Sequence, residues 1–237
     1  MDRLKIMYLA LVVLAMSGVF LLCAGMQERT IKHHSVRLVG ENGMCSGEQI
    51  VAPSGATYII SAAHCLKIAK DGVMHIQTED GAHLQRRVIA EDVNSDLLLI
   101  EGLPGVDGLK IAKSSAAGQH VRTYTHGRDM DTYRTDGLLI MDMEVNIPIS
   151  AINNDADAAK CNLPKNRIYV QDSIFGPYRY CLLRSVQTLS TAPVLPGSSG
   201  GMVLNDADEL VGVVSATDSN TSSFVTISDI HVFLSGY

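Results

Sequence analysis

Three short stretches carry the residue types that acyl transfer by a serine requires. Ser61-Ala62-Ala63-His64-Cys65 supplies an imidazole, Ser95-Asp96-Leu97-Leu98-Leu99-Ile100-Glu101-Gly102 a carboxylate, and Pro196-Gly197-Ser198-Ser199-Gly200-Gly201 two hydroxyls among glycines. A serine hydroxyl is a poor nucleophile until a base takes its proton, and an imidazole base needs a carboxylate to fix its tautomer. The glycines fit the same chemistry, because backbone N–H groups converge on a tetrahedral oxyanion only where small residues let the chain turn tightly. Taken singly, each stretch has a plainer reading: a surface histidine, a turn aspartate, a Gly/Ser/Pro turn. The three together, in the order His, Asp, Ser, favour the catalytic reading.

A rival uses the same serine. Gly197-Ser198-Ser199-Gly200-Gly201 also satisfies G-x-S-x-G, the nucleophile elbow of α/β-hydrolases, and Asp208 and His231 follow in that family's order. An elbow must lead from a strand into a helix, whereas Met202 to Val214 reads as a hairpin. About 36 residues remain beyond Gly201, too few for the rest of such a sheet. A serine esterase is therefore the weaker reading.

The elements that would hold these stretches are strands. Met141 to Ile149 alternates apolar and polar residues, the period of a strand with one face in a core. Shorter apolar runs recur at Gln49–Ala52, Thr57–Ile60, Arg87–Ala90, Leu97–Ile100, Met202–Leu204 and Leu210–Val214. They are separated by turn residues at Pro53-Ser54-Gly55, Asp80-Gly81, Pro104-Gly105 and Asn205-Asp206-Ala207-Asp208. The pattern predicts an all-β protein, an antiparallel sandwich or barrel. A short terminal helix capped by Ser228 and a turn or two of helix from Ala151 to Lys160 are the helical expectations. The small residues Ser114 to Gly118 mark the division between two β-domains, residues 30–115 and 116–237.

Apolar residues make up 46% of the 237, enough for a core of this size. The net charge of −6 and the absence of any Lys/Arg cluster argue against nucleic acid as a partner. Residues 1–26 read as a signal peptide or an N-terminal membrane anchor. Arg3 and Lys5 precede an apolar run from Ile6 to Gly25, whose 20 residues would span roughly 30 Å as a helix. Cys23-Ala24-Gly25 offers small residues for cleavage, and Leu22 argues against lipidation of Cys23. By either route the residues after about Gln27 lie outside the cytoplasm, secreted, periplasmic or membrane-tethered. Cys45, Cys65, Cys161 and Cys181 suit an oxidising compartment, where they admit three pairings. The local pairing is the simplest, and each such loop of about 20 residues would stabilise by roughly 3 kcal/mol in the chain-entropy model. No metal site or cofactor is expected: His33-His34 has no partner at ligand spacing.

With these residues in view, the chain resembles the chymotrypsin-like (trypsin-like) serine peptidases over nearly everything after about residue 35. Ser61 to Cys65 looks like the family's histidine motif, with Cys45 as the expected disulfide partner of Cys65. Asp96 to Ile100 is similar to the aspartate motif, and Gly197 to Gly201 matches the nucleophile motif. The resemblance implies two antiparallel β-barrels with a short C-terminal helix and an active site between them. It makes Ser199 the nucleophile, His64 the general base and acid, and Asp96 the group that orients the imidazole. It puts the oxyanion-hole N–H groups on Gly197 and Ser199, and it makes Ser215, Ala216 and Thr217 the strand that pairs with a polypeptide substrate, with Ser215 beside Asp96. The implied activity is that of a serine endopeptidase, and a monomer is expected.

Departures from the family pattern carry their own expectations. Ser198 stands where zymogen-activated digestive members have an Asp that pairs with a freshly cut N-terminus, and no Ile-Val-Gly-Gly start occurs among residues 26–50. Maturation without that switch is expected, as in bacterial and viral members. Pro193, six positions before Ser199, is not the acidic residue that selects Lys or Arg, and Thr217 stands where a glycine often keeps the pocket open, so a small or medium apolar side chain is expected at the cleaved position. The chain stops at Tyr237 directly after the expected helix, so an appended PDZ domain is not expected. The competing class is a binding module that keeps the peptidase fold without turnover.

Overall fold

The computed structural model describes residues 30–41, 43–127, 131–151, 161, 166–171, 178–217 and 221–237. The amino-terminal apolar stretch and all but the first residue of the helix expected over Ala151–Lys160 lie outside the described residues, and Ala151 itself ends a strand. No helix among the described residues is long and apolar enough to cross a membrane.

The chain is built from strands arranged as two antiparallel barrels. The first contains β1 (Ser35–Gly40), β2 (Gly43–Val51), β3 (Thr57–Ser61), β4 (Val73–Thr78), β5 (His83–Asp92) and β6 (Leu97–Glu101), closed in the order β1-β2-β3-β6-β5-β4. The second contains β7 (His120–His126), β8 (Thr132–Ala151), β9 (Asn166–Gln171), β10 (Tyr178–Ser190), β11 (Met202–Leu204), β12 (Leu210–Thr217) and β13 (Ser222–Val225), ordered β13-β12-β11-β7-β8-β10-β9. It closes because the carboxy-terminal part of β10, Gln187–Ser190, pairs with β13, while the amino-terminal part, Tyr178–Leu183, pairs with β9.

Three of the expected turn sites fall between paired strands. Gly55 (φ +86°) lies between β2 and β3, Gly81 (φ +84°) between β4 and β5, and Asp208 (φ +60°) between β11 and β12. The Met141 to Ile149 alternation lies within β8, which runs well beyond it on the amino-terminal side. Strands β1, β4, β7, β9, β10 and β13 were not marked by hydropathy. The terminal helix, Ile227–Leu234, begins two residues earlier than expected: Thr226, not Ser228, is the N-cap, its side chain accepting from the Asp229 N–H. The buried Thr226 side chain is held at the start of the helix, whereas Ser228 is exposed on its first turn.

Continuous apolar runs mark strands covered on both faces. In β6, Leu98 and Ile100 point into the first barrel, while Leu97 and Leu99 join a cluster shared with the second barrel's Tyr124, Met202 and Val213. Ile59 and Ile60 of β3 divide the same way. Each such side chain contributes about 1.5–3 kcal/mol on full burial. Ile230 and Leu234 seat the terminal helix on the shared cluster, and a third cluster around Val121, Leu139 and Phe224 fills the second barrel. Both disulfides have the local pairing, Cys45–Cys65 with Cα atoms 6.2 Å apart and Cys161–Cys181 with Cα atoms 5.5 Å apart.

Two titratable groups are buried beside this interface. Glu48 stands on β2 opposite Ser35 and Ile60, fully buried, with neither carboxyl oxygen hydrogen-bonded, and burial pushes its carboxyl well above the ordinary range. His126 bonds the Ser35 hydroxyl at 3.1 Å, and burial, with a smaller effect from the Arg37 charge, lowers its pKa to about 4. The two act in opposite directions on stability. The unfolded chain ionises Glu48 at ordinary carboxylate pH while the folded chain keeps it neutral, so stability falls as pH rises above about 4.5. The unfolded chain protonates His126 near 6.5 while the folded chain resists to about 4, so stability falls as pH drops through that window. In thermal melts, Glu48→Gln is expected to gain on wild type more at pH 8 than at pH 4.5. His126→Gln is expected to gain more at pH 5 than at pH 7.5.

Candidate active site

His64 lies in a short 3-10 segment, Ala63–Ile68, that follows β3 directly, and Asp96 sits one residue before β6. Asp96 has a positive φ of +58°, a left-handed conformation that Asp tolerates better than most residues. That kink sends its backbone carbonyl to the Ala63 N–H at 3.1 Å and its carboxylate under His64. Both carboxylate oxygens lie 3.0 Å from His64 Nδ1, and Oδ1 also accepts the His64 backbone N–H at 3.0 Å. From the second barrel the Ser215 hydroxyl donates to Oδ2. Asp96 is 1% exposed and His64 12%, so the imidazole shields the carboxylate while keeping one edge toward solvent. An Nδ1–H held on a carboxylate leaves Nε2 as the basic nitrogen.

Ser199 lies in the turn before β11. Gly197 (φ +98°) and Gly200 (φ +83°) adopt conformations that favour glycine, so the turn doubles back within a few residues. The Ser198 N–H donates to the Leu195 carbonyl at 3.0 Å, the Gly200 N–H to Val214 at 2.6 Å and the Gly201 N–H to Ser198 at 2.9 Å. Among the described residues, the N–H groups of Gly197 and Ser199 have no acceptor. The Ser199 hydroxyl donates to the Ser215 carbonyl at 3.4 Å, not to His64. Ser215 thus touches both the Asp96 carboxylate and the Ser199 hydroxyl.

Ser198 points away from the cleft and is 1% exposed. Its Oγ is 2.5 Å from the Tyr133 hydroxyl and 3.0 Å from the Thr125 hydroxyl, and the Leu195 N–H is shared between Ser198 and Tyr133. Beyond Val213, which pairs with Met202, β12 has only β13 beside it among the described strands: Ala216 opposes Ser223 and Thr217 opposes Ser222. The Ser222 hydroxyl donates to the Ala192 carbonyl at 2.6 Å, tying β13 to the segment ahead of the Gly197–Gly201 turn.

The residues of the rival esterase reading are engaged elsewhere. Asp208 pairs with Arg122, and His231 Nε2 bonds the Ala112 carbonyl at 2.8 Å. The chain after Gly201 forms the β11–β12 hairpin instead of a helix. Among the described residues, one trio has its potential ligand atoms within 4.8 Å of one another, Cys45, His64 and Cys65, but the disulfide consumes both thiolates that a metal would need.

A family model described as a trypsin-like peptidase domain matches residues 45–213. The chain belongs to the trypsin-like peptidase family. No curated protein matches this trypsin-like peptidase at a significant level. Solved structures similar in fold include an inactive form of the Rv3671c protease, 15% identical, covering 88% of this chain and 90% of that one with a TM-score of 0.61. The active form of Rv3671c from Mycobacterium tuberculosis, also 15% identical, covers 85% and 78% with the same TM-score. A serine endoprotease from Yersinia pestis, 12% identical, covers 88% of this chain and 64% of that one at a TM-score of 0.59.

Sequence reasoning assigned no role to Tyr133, Thr125 or Ser46 in this peptidase. Ser46 on β2 reaches the Gly197–Gly201 turn across the interface, its N–H donating to the Ser199 carbonyl at 2.7 Å. Such contacts join residues 65 to 153 positions apart, so no local spacing reveals them. The turn is also sterically confined: a Cβ at Gly200 would overlap the Ser61 hydroxyl and the Ser46 carbonyl. Gly200→Ala is therefore expected to destabilise by about 2–4 kcal/mol, through overlap and positive-φ strain, measured by urea unfolding. Gly55→Ala, with open space around it, is expected to cost only the backbone strain, about 1 kcal/mol.

Proposed function

We propose that this trypsin-like peptidase is a serine endopeptidase acting through an acyl-enzyme. The observation that carries the reading is the linkage His64–Asp96–Ser215–Ser199, beside two backbone N–H groups without an acceptor among the described residues. Rotation of the Ser199 side chain about its Cα–Cβ bond takes the hydroxyl from the Ser215 carbonyl toward His64 Nε2, in keeping with the looseness of catalytic hydrogen bonds in unliganded sites.

Ser199 Oγ then attacks the scissile carbonyl carbon as Nε2 takes its proton. The oxyanion receives the N–H groups of Gly197 and Ser199, each worth about 3 kcal/mol of barrier. Asp96 stabilises the imidazolium, and His64 returns the proton to the leaving amine as the peptide C–N bond breaks. Water, deprotonated by the same nitrogen, releases the acyl group and restores Ser199. Ser215–Thr217, whose first residue lies beside Ser199, would hold the substrate as an added strand.

The substrate is a polypeptide with a small or medium apolar side chain at the cleaved position; no acidic residue stands at Pro193 to select Lys or Arg. Maturation requires no new N-terminus, because the neutral Ser198 hydroxyl has its partners in Tyr133 and Thr125. Two disulfides suit an oxidising compartment, and residues 1–26 would deliver the chain there.

A fluorophosphonate probe is expected to label the purified domain and to leave Ser199→Ala unlabelled. Asp96→Asn is expected to lower turnover of a cleaved peptide about 10⁴-fold. Labelling that survives Ser199→Ala would remove Ser199 from its role, and absence of labelling in folded wild type would favour a binding module.

A further inference from the structure

We propose that Ser46 is a positioning residue that aims the oxyanion-hole N–H groups from the first barrel, an inference that rests on the serine-peptidase reading. The nucleophile turn contains Gly197, Gly200 and Gly201, and glycine leaves backbone planes free to rotate. The Ser198 N–H bonds Leu195, the Gly201 N–H bonds Ser198 and the Gly200 N–H reaches Val214 on β12, while among the described residues the N–H groups of Gly197 and Ser199 have no acceptor. These bonds hold the 197–198 and 199–200 units at their N–H ends, and a second point of restraint comes from outside the turn.

Ser46 supplies it at two points. Its N–H donates to the Ser199 carbonyl at 2.7 Å, and its hydroxyl donates to the Gly197 carbonyl at 3.1 Å. A peptide unit is planar, so holding these carbonyls orients the 197–198 and 199–200 planes. Those planes flank the 198–199 unit that carries the Ser199 N–H, and the first of them also limits rotation of the unit bearing the Gly197 N–H. The direction of the Ser46 hydroxyl is itself determined. It accepts the His126 N–H at 2.9 Å, which turns its single proton toward Gly197. Ser46 is fully buried, and its own carbonyl accepts the Ser61 hydroxyl at 2.6 Å.

The neighbouring residue extends the bracket. Cys45 is bonded to Cys65, which directly follows His64. Two consecutive residues of β2 therefore tie down both the base and the turn that carries the nucleophile. Among the described residues no hydrogen bond joins Ser46 to Ser215, Ala216 or Thr217, so its loss acts on the oxyanion far more than on substrate docking.

The test compares kcat, KM and thermal melting for wild type, Ser46→Ala and Ser61→Ala on one cleaved peptide. Ser46→Ala is expected to lower kcat about 10- to 100-fold, the scale of a misdirected oxyanion donor, with KM within about twofold. Ser61→Ala removes a buried hydrogen bond to the same residue but neither contact with the turn, so it is expected to lower the melting temperature while keeping kcat near wild type. The proposal is overturned by a Ser46→Ala kcat within twofold of wild type, or by equal kcat losses in the two variants. Should Ser46→Ala fail to fold, Ser46→Thr and Ser46→Val ask the same question at one shape: higher kcat for Thr supports the role, and equal values overturn it. Wild type that neither cleaves nor labels overturns the peptidase reading itself, an outcome distinct from an active wild type indifferent to Ser46.

Discussion

A carboxylate buried between two barrels sets the terms for everything around it. Removing a charge from water costs several kcal/mol unless hydrogen bonds replace the lost solvation. Asp96 is satisfied by donors from both sides: the imidazole and amide of His64 on the first barrel and the hydroxyl of Ser215 on the second. The apolar cluster of Leu97, Leu99, Tyr124 and Met202 would tolerate some sliding of one barrel on the other, since dispersion and hydrophobic burial are weakly directional. The Asp96 hydrogen bonds would not. Apolar area supplies the adhesion of the barrels, and one buried carboxylate supplies their register.

The polar half of the same interface is made mostly of hydroxyls. Ser35, Ser46, Ser61, Thr125 and Ser198 are all buried, and each is short enough to meet a backbone group without disturbing the strands. A hydroxyl both donates and accepts, so a few of them can satisfy an irregular turn that no ladder reaches. Because a hydroxyl is neutral, Ser198 needs no countercharge, whereas a carboxylate in that place would demand one.

The candidate site was legible in the sequence where function depends on residue type within a few positions: His64 beside Cys65, Asp96 before an apolar run, Ser199 among glycines. It was illegible where the role arises only when the chain closes on itself, as for Ser46, Tyr133 and Thr125. The fold shows the same division. β6 could be read because both its faces are apolar, and the Met141 to Ile149 part of β8 because it alternates. β10 and β13 could not, because Ser185, Gln187, Ser190, Ser222 and Ser223 occupy buried positions and erase the contrast on which hydropathy depends. At the terminal helix, Thr226 and Ser228 are both competent caps; the packing of Ile227 and Ile230 against the shared cluster decides between them.

The divided loyalty of β10 separates two jobs along one strand. Its carboxy-terminal residues belong to the closed wall of the barrel, while its amino-terminal residues, with β9 and the end of β8, form a ribbon secured by Cys161–Cys181. No described residue of that ribbon hydrogen-bonds Asp96 or the Gly197–Gly201 turn. Evolution can therefore treat it as a detachable handle, varied for a new neighbour or substrate while the chemistry stays untouched.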